Sequence, residues 1–395
     1  MVDLVKWCLL ISYFYGRFTG IINFEIDIKT GRTRITSRAT ICAACSQLTM
    51  FGLLAYNSLY SQAMTSMWSN ANYTHTYVFL VIATFRLICV FMALVSRWCQ
   101  RRHFVRLFNS FRRLYQSNPD IIKYCRRGIL SKCICATISE TLQVVVALIM
   151  MRNQLTLATA LGIWAVLSMT AIINVIITQY FIAMAHIRGR YILLNQELRS
   201  LMTEARSLVP DRSGVYVTRC CSLADRLERI ALAQSDLQAL TERLSRTYQL
   251  QVLCLVITYY LNLVGNVYLV YSLIKYKSLT ADWPKAILVL GSVYLAFYYL
   301  DCWLNSYNVF YLLDAHNEMV KLLGLRTLLQ PGLDRRLEAV FDNFLLNLSR
   351  NPFRLRFFGL FEVNRNNSAM VGNSLLTHSL LLIQYDIQHF KASRN

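Results

Sequence analysis

The sequence predicts an all-α membrane protein with seven transmembrane helices. Its N-terminus is expected inside, its C-terminus outside, and long helices are expected to continue into the cytosol. Three observations carry this: apolar residues come in membrane-length blocks, Lys and Arg alternate in density between successive loops, and the longest loops keep a helical apolar stripe.

The first observation rests on composition and its arrangement. The 395 residues are 55% hydrophobic and only 16% charged, with mean hydropathy +0.38. Soluble domains carry about 25% charged residues. Seven blocks are long enough to cross a hydrocarbon core of about 30 Å: 39–60, 76–97, 129–150, 157–185, 248–273, 285–303 and 368–385. Only helices or closed barrels satisfy their backbone in lipid, and these lengths mean helices. The last block is the least apolar. Trp7–Tyr15 is apolar but too short to span, lacks a small-residue cleavage site and runs into Gly16-Arg17-Phe18-Thr19-Gly20. Residues 1–38 are therefore expected as a cytosolic segment with a helix near the membrane.

Charge sets the orientation. Alternate segments between the blocks carry 33 Lys/Arg against 6, with the span-edge residues Arg97 and Lys285 counted to their flanks. Cytoplasmic loops hold the positive excess. The same distribution argues against nucleic acid as the reason for the net charge of +20. The sequon Asn72-Tyr73-Thr74 then falls outside, where glycosylation is possible, while those at Asn347 and Asn366 fall inside. None of the twelve cysteines falls in an outside loop, so no extracellular disulfide is expected. Cys42 and Cys45 have C-x-x-C spacing but no His or acidic partner nearby, which favours small core residues over a metal or redox site.

The inside loops read as helices. Leu223, Leu227, Ile230, Leu237, Leu240 and Leu244 form a stripe that runs into the fifth span, and Leu333, Leu337, Val340, Phe344 and Leu348 form another. Segments 100–127 and 186–247 are expected as helical extensions of the membrane region 39–303, followed by cytosolic helices over 304–367. These faces must be buried against each other or against other subunits.

Seven spans invite a G-protein-coupled receptor. The inverted orientation opposes it, as does the placement of all five prolines in loops or at a span edge. The Asp-Arg-Tyr and Asn-Pro-x-x-Tyr signatures are absent too.

The last block, within 368–395, carries polar residues at helical spacing. Steps of 4, 3, 4, 3 and 4 from Met370 reach Ser374, Thr377, Leu381, Gln384 and Gln388. Such a stripe must face protein or water. It is either hydrogen-bonding glue between helices or the wall of an aqueous pore shared by several copies. In a pore, Gln384 offers a dipole to a passing cation, Leu381 and Tyr385 an apolar constriction, and Asp386 a charge at the mouth.

At these residues the chain resembles the insect gustatory receptor family. That family's mark is Thr-Tyr, five hydrophobic residues, then Gln-Phe. Here it reads Thr377-His378, Ser379 to Ile383, Gln384-Tyr385, with His and Tyr replacing the aromatics and Ser379 in the apolar run. Phe14–Asp27 resembles the family's N-terminal signature, and Phe357–Met370 its approach to the last span. The details look most like the divergent fly receptors of bitter-sensing neurons. The resemblance implies a tetrameric ligand-gated cation channel, similar in architecture to insect odorant receptors, in the plasma membrane of sensory neurons. A cytosolic anchor domain would join the subunits, as a homomer or with other gustatory receptors, and the last span would line the pore with Gln384 at its narrow part. His378 either titrates near the pore or packs against a neighbouring helix.

The resemblance also places a small-molecule tastant in the outer half of each subunit. The outer halves offer Glu140, Gln143, Trp164, Asn262, Tyr268, Tyr271, Tyr294 and Tyr298. Core or interfacial packing is the alternative for each aromatic. Arg86, mid-span in the second block, needs a partner. Glu140 stands at comparable depth by residue count, so the two are expected to pair, or Arg86 to face the ligand cavity. Lys132 and Asp301, near inner span ends, are expected to reach water. The rival functional class is a secondary transporter of small organic cations, although no internal repeat or pair of broken helices supports it. No catalytic grouping, metal-ligand spacing or cofactor motif stands out, so neither an enzyme nor a cofactor is expected.

Overall fold

The computed structural model describes residues 4–27, 30–60, 73–152, 156–208, 213–276, 285–328, 334–359 and 361–392. Ten helices among them carry the fold: α1 (Leu4–Phe18), α2 (Ser37–Tyr60), α3 (Tyr73–Cys99), α4 (Arg101–Ser117), α5 (Ile121–Met150), α6 (Leu157–Arg206), α7 (Gly214–Lys275), α8 (Lys285–Gly324), α9 (Arg335–Arg350) and α10 (Arg365–Ala392). Two antiparallel hairpins interrupt them, β1 (Glu25–Ile26) with β2 (Thr33–Arg34), and β3 (Arg356–Phe357) with β4 (Phe361–Glu362).

Six of the helices, α2, α3 and α5 to α8, are long and apolar enough to cross a membrane. Each contains one of the first six expected spans. The seventh expected span lies inside α10, whose Asn373, Ser374, Thr377, His378 and Gln384 keep it less apolar. Helix α6 has 50 residues and α7 has 62, about 75 and 93 Å at 1.5 Å per residue. Both extend far beyond a bilayer core of about 30 Å.

Helices α6 and α7 form the axis. The first packs against α2, α5, α7 and α8, the second against α3, α6, α9 and α10. The charge-rich extensions are the best-packed part of the chain. The stripe from Leu223 to Leu244 on α7 is buried against Leu194, Leu198 and Leu201 of α6, Leu312 and Met319 of α8, and Leu337 and Phe341 of α9. Burying each such side chain contributes about 1.5–3 kcal/mol, which holds these long helices together outside lipid. Around the other half, apolar residues such as Leu80, Ile88 and Phe91 of α3 stand exposed, as lipid-facing positions must.

Three features differ from the sequence expectation. Segment 100–127 is two pieces. Helix α4 stops at Ser117 because Pro119 forces Asn118 out of the helical region, to φ −144° and ψ 76°. Cys42 and Cys45 are exposed on α2 rather than in its core, and all twelve cysteines are free. Finally, α1 packs along α5 and α6, against residues of the expected spans. Val5 is buried with Ile121, Cys125 and Ile129, the Tyr15 hydroxyl lies beside Glu140, and Phe18 sits edge-on to Trp164, 6.4 Å between ring centres. Both Glu140 and Trp164 belong to expected spans. The outer face of α1, Leu4, Trp7, Ile11, Phe14 and Phe18, is at least half exposed and suits lipid. Gly16 permits this packing, since a Cβ there would lie 2.8 Å from Ile22 Cδ1 and 3.1 Å from Val175 Cγ1. Gly20, at φ +74°, then turns the chain back. Asn72 lies outside the described residues.

Candidate ligand cavity and the exposed face of the last helix

Four of the nine expected ligand residues line one cavity. Arg86 of α3, Asn262 of α7, and Tyr294 and Tyr298 of α8 surround a space of about 60 Å³, closed by Ser139, Thr170, Asn174, Thr258, Tyr259 and Asn266. At about 10–15 Å³ per water position, it has room for roughly four to six waters. The wall is mostly polar, unusual for helices of this hydropathy, and brings together polar residues from five of the apolar blocks.

Arg86 and Glu140 do not pair. The Arg86 guanidinium donates through Nη2 to Thr170 Oγ1. Glu140 Oε1 accepts from Asn174 Nδ2 at 2.9 Å. Thr170 and Asn174 are one turn apart on α6, so the two charges occupy adjacent rungs of the same helix. Gln143 Nε2 also donates to Thr170 Oγ1, at 3.2 Å, and so supports the cavity wall from behind. Arg86 Nε has no hydrogen-bond partner. A guanidinium held at this depth without a carboxylate needs a polar or hydrated space, which the cavity supplies.

Trp164 and Tyr268 stand elsewhere. Trp164 packs on α1, and Tyr268 is buried against α10. Lys132 and Asp301 do not reach water: they are 1% and 6% exposed and meet at 2.6 Å to both carboxylate oxygens, with Tyr259 and Asn305 completing the shell. The sequence offered opposite charges near two inner span ends, yet residue counting did not join them. The lining residues Thr170, Asn174 and Asn266 were also missed. Their signal was weak, being single uncharged polar residues inside long apolar runs.

Helix α10 packs chiefly on α7. One side of it is engaged there. The Tyr260 hydroxyl lies 3.0 Å from Ser374 Oγ and 2.6 Å from His378 Nδ1. Tyr268 and Tyr276 donate to the two oxygens of Asp386 at 3.0 and 2.6 Å, with Lys275 Nζ 3.9 Å away. Asp386 is thus buried and does not share the face of Gln384. They stand two positions apart, about 200° around a helix. The side with Thr377, Leu381, Gln384 and Gln388 is exposed on the single chain, while the half-exposed Tyr385 lines a pocket with Tyr77 and Val81 of α3 and Leu261 of α7. The two polar sets divide the work: Ser374, His378 and Asp386 bind α7, while Gln384 makes no side-chain hydrogen bond among the described residues.

Fold and site define a multi-pass helical membrane protein with a polar chamber between its helices. Residues 9–389 match the family described as 7tm Chemosensory receptor. The chain is 61% identical over 390 residues to gustatory receptor 59d of Drosophila melanogaster, covering 99% of this chain and 100% of that protein. It is 34% identical over 395 residues to gustatory receptor 36c of the same organism, covering 98% and 100%. It also matches the solved olfactory receptor OR5 of Machilis hrabei at a TM-score of 0.63 and 14% identity, over 97% of this chain and 99% of that one. The same receptor in complex with eugenol matches equally, at 0.63 over 96% and 98%. At such identity the structural likeness concerns the fold. The chain belongs to the 7tm chemosensory receptor family, within its gustatory receptors.

Proposed function

We propose that the chain is a subunit of a tetrameric, ligand-gated, non-selective cation channel in the plasma membrane of sensory neurons, opened by a small bitter tastant. The observation that carries this reading is the uncovered face of α10. A helix that offers Thr377, Leu381 and Gln384 to no neighbour within its own chain needs water or other copies of itself. Four copies around an axis supply both, with Gln384 at the narrow part and Leu381 and Tyr385 as the gate. Asp386 is left out of the mouth, since its carboxylate is held by α7.

The packed extensions of α6 to α9 form the anchor domain on the cytosolic side, with the N-terminus inside and α10 leading outward. The tastant occupies the Arg86 chamber, with an acceptor group on the guanidinium and its rings on Tyr294 and Tyr298. The test is patch-clamp recording from cells expressing the chain, using excised patches without nucleotides and a panel of bitter compounds. Ligand-evoked cation current whose ion selectivity changes in Gln384→Ala supports the assignment. Current indifferent to Gln384 moves the pore elsewhere. Saturating substrate uptake without macroscopic current favours the transporter.

A further inference from the structure

From residue 28 to residue 119 the chain contains no Asp or Glu. Its arginines in this stretch gather at the ends of the first two expected spans. Arg32, Arg34 and Arg38 precede 39–60, and Arg102, Arg106 and Arg113 follow 76–97. All six are exposed, and among the described residues none of them forms an ion pair. The flanking acids are engaged elsewhere. Glu25, across the hairpin from Arg34, lies 3.7 Å from Arg17 and accepts from Thr36 at 3.1 Å. Asp27 accepts from Thr30 at 2.6 Å, and Asp120 pairs with Lys123 at 2.7 Å. Farther from the spans the pattern reverses: Arg199, Arg226 and Arg336 each meet a carboxylate, of Glu318, Glu204 and Asp225.

Helix α4 sets three of these arginines on one line. At about 100° per residue, Arg106 and Arg113 fall about 40° and 20° from Arg102. Phe104, Leu107 and Phe111 fall on the opposite side and pack into the core, so the arginine line is turned outward. The hairpin and the start of α2 are clamped to the same helix. Thr33, between Arg32 and Arg34, donates from its backbone N–H to Asn109 Oδ1 at 3.1 Å and from Oγ1 to the Val105 carbonyl at 3.2 Å. Arg101 Nη2 donates to Thr40 Oγ1 at 2.7 Å and to the Asn23 carbonyl. The six arginines therefore surround one junction at the edge of the expected membrane layer. Arg38 directly precedes the first span, and Arg102 stands five residues past the second.

We infer that this junction binds a phosphoinositide of the inner leaflet, a lipid whose headgroup carries free phosphate monoesters. Basic clusters just cytoplasmic of a span, or on an amphipathic helix, attract anionic lipid. Like charges gathered without acids repel one another until a polyanion meets them. The residue type narrows the class further. Orienting the spans needs only positive charge, which lysine supplies as well as arginine. All six positions are arginine, whose planar guanidinium meets a phosphate through two parallel hydrogen bonds. The inference rests on the proposed inside placement of these segments. It goes beyond the tastant chamber and the pore, since the arginines belong to β2, α2 and α4 and line neither.

The test uses purified full-length protein in an uncharged detergent. Fluorescence anisotropy follows a dye-labelled, short-chain phosphatidylinositol bisphosphate, in competition with phosphatidylserine of the same chain length. Saturable binding is expected, with phosphatidylserine needing roughly tenfold higher concentration or more. Each arginine near the surface contributes about fivefold to lipid attraction. Arg102→Gln, Arg106→Gln and Arg113→Gln together should therefore weaken binding about 100-fold. The same charge removed from exposed positions far from the spans, by Arg219→Gln, Arg229→Gln and Arg335→Gln, should leave it within about threefold. If the α4 variant does not fold, Arg32→Gln, Arg34→Gln and Arg38→Gln test the other half of the junction and should weaken binding as strongly. No saturable binding in the unsubstituted protein overturns the site. So does an equal loss in the distant variant, or phosphatidylserine competing at equal concentration, since either means attraction by net charge alone. The readout needs neither a membrane orientation nor a current, so its failure is distinct from failure of the channel reading.

Discussion

The Tyr260 hydroxyl and His378 Nδ1 meet at 2.6 Å, and this contact ties α7 to the helix that carries the exposed Thr377–Gln384 face. Tyr259, the preceding residue, turns the other way. Its hydroxyl donates to Asp301 at 3.2 Å, and its ring lies 5.5 Å from that of Tyr298 in the Arg86 chamber wall. Consecutive tyrosines thus join the chamber to α10. Tyr260→Phe removes one hydroxyl and keeps the ring. A neutral hydrogen bond is worth about 0.5–1.5 kcal/mol, so the half-maximal ligand concentration should shift about two- to tenfold. Dose–response curves identical to those of the unsubstituted protein would show that this contact does not bear on opening.

Lys132 and Asp301 give a sharper test of stability. Lys132→Met leaves Asp301 buried with only Tyr259 and Asn305 as partners. Breaking a buried pair costs about 3–5 kcal/mol. Replacing both by apolar residues, Lys132→Met with Asp301→Leu, should recover most of that loss. Thermal unfolding in detergent decides it. A double variant as unstable as the single one would mean that the tyrosine and asparagine hydrogen bonds matter more than the charges.

The spans were legible because an apolar block of membrane length has few other fates, and the α7 stripe because a period of 3.6 over two dozen residues leaves one face to bury. Azimuth was not legible in the same way. Arg86 and Glu140 were matched by depth alone, yet each turned to a different rung of α6. Asp386 was placed with Gln384 although two residues of a helix point nearly opposite ways. The break at Asn118-Pro119 is written in the sequence, since a proline bars the residue before it from the helical region. The path of α1 was not, because a short apolar helix reads the same on the membrane surface or between helices. Its depth is set by the gap that Gly16 permits against Ile22 and Val175.

Arg86→Met tests the chamber. The substitution removes a guanidinium whose Nε is unsatisfied, so the protein should be no less stable. Hydrogen bonds to a charged group are worth about 1.5–3 kcal/mol, so a ligand with an acceptor aimed at Arg86 should lose about 10- to 150-fold in potency. Ligands of similar shape without an acceptor should change little. The measurement is a dose–response series over such pairs, with surface expression as the control. Equal potency in both proteins places the tastant elsewhere.

His316 sets a pH dependence outside the membrane layer. It lies on the extension of α8, 5% exposed, with its ring 5.8 Å from that of Tyr191 and stacked at 5.0 Å on Phe353. Burial among these groups pushes its pKa down from 6.5 to about 4. The folded chain therefore holds the neutral ring. As pH falls below about 6.5 the unfolded chain takes up a proton that the folded chain refuses, so stability declines between pH 6.5 and 4 and is indifferent to this group above that window. Each pKa unit is about 1.4 kcal/mol, which gives about 3 kcal/mol over the whole range. His316→Phe should remove this component and flatten the melting temperature between pH 7 and 4.5 relative to the unsubstituted protein. Parallel curves for the two proteins would mean that acid destabilises the bundle through other groups.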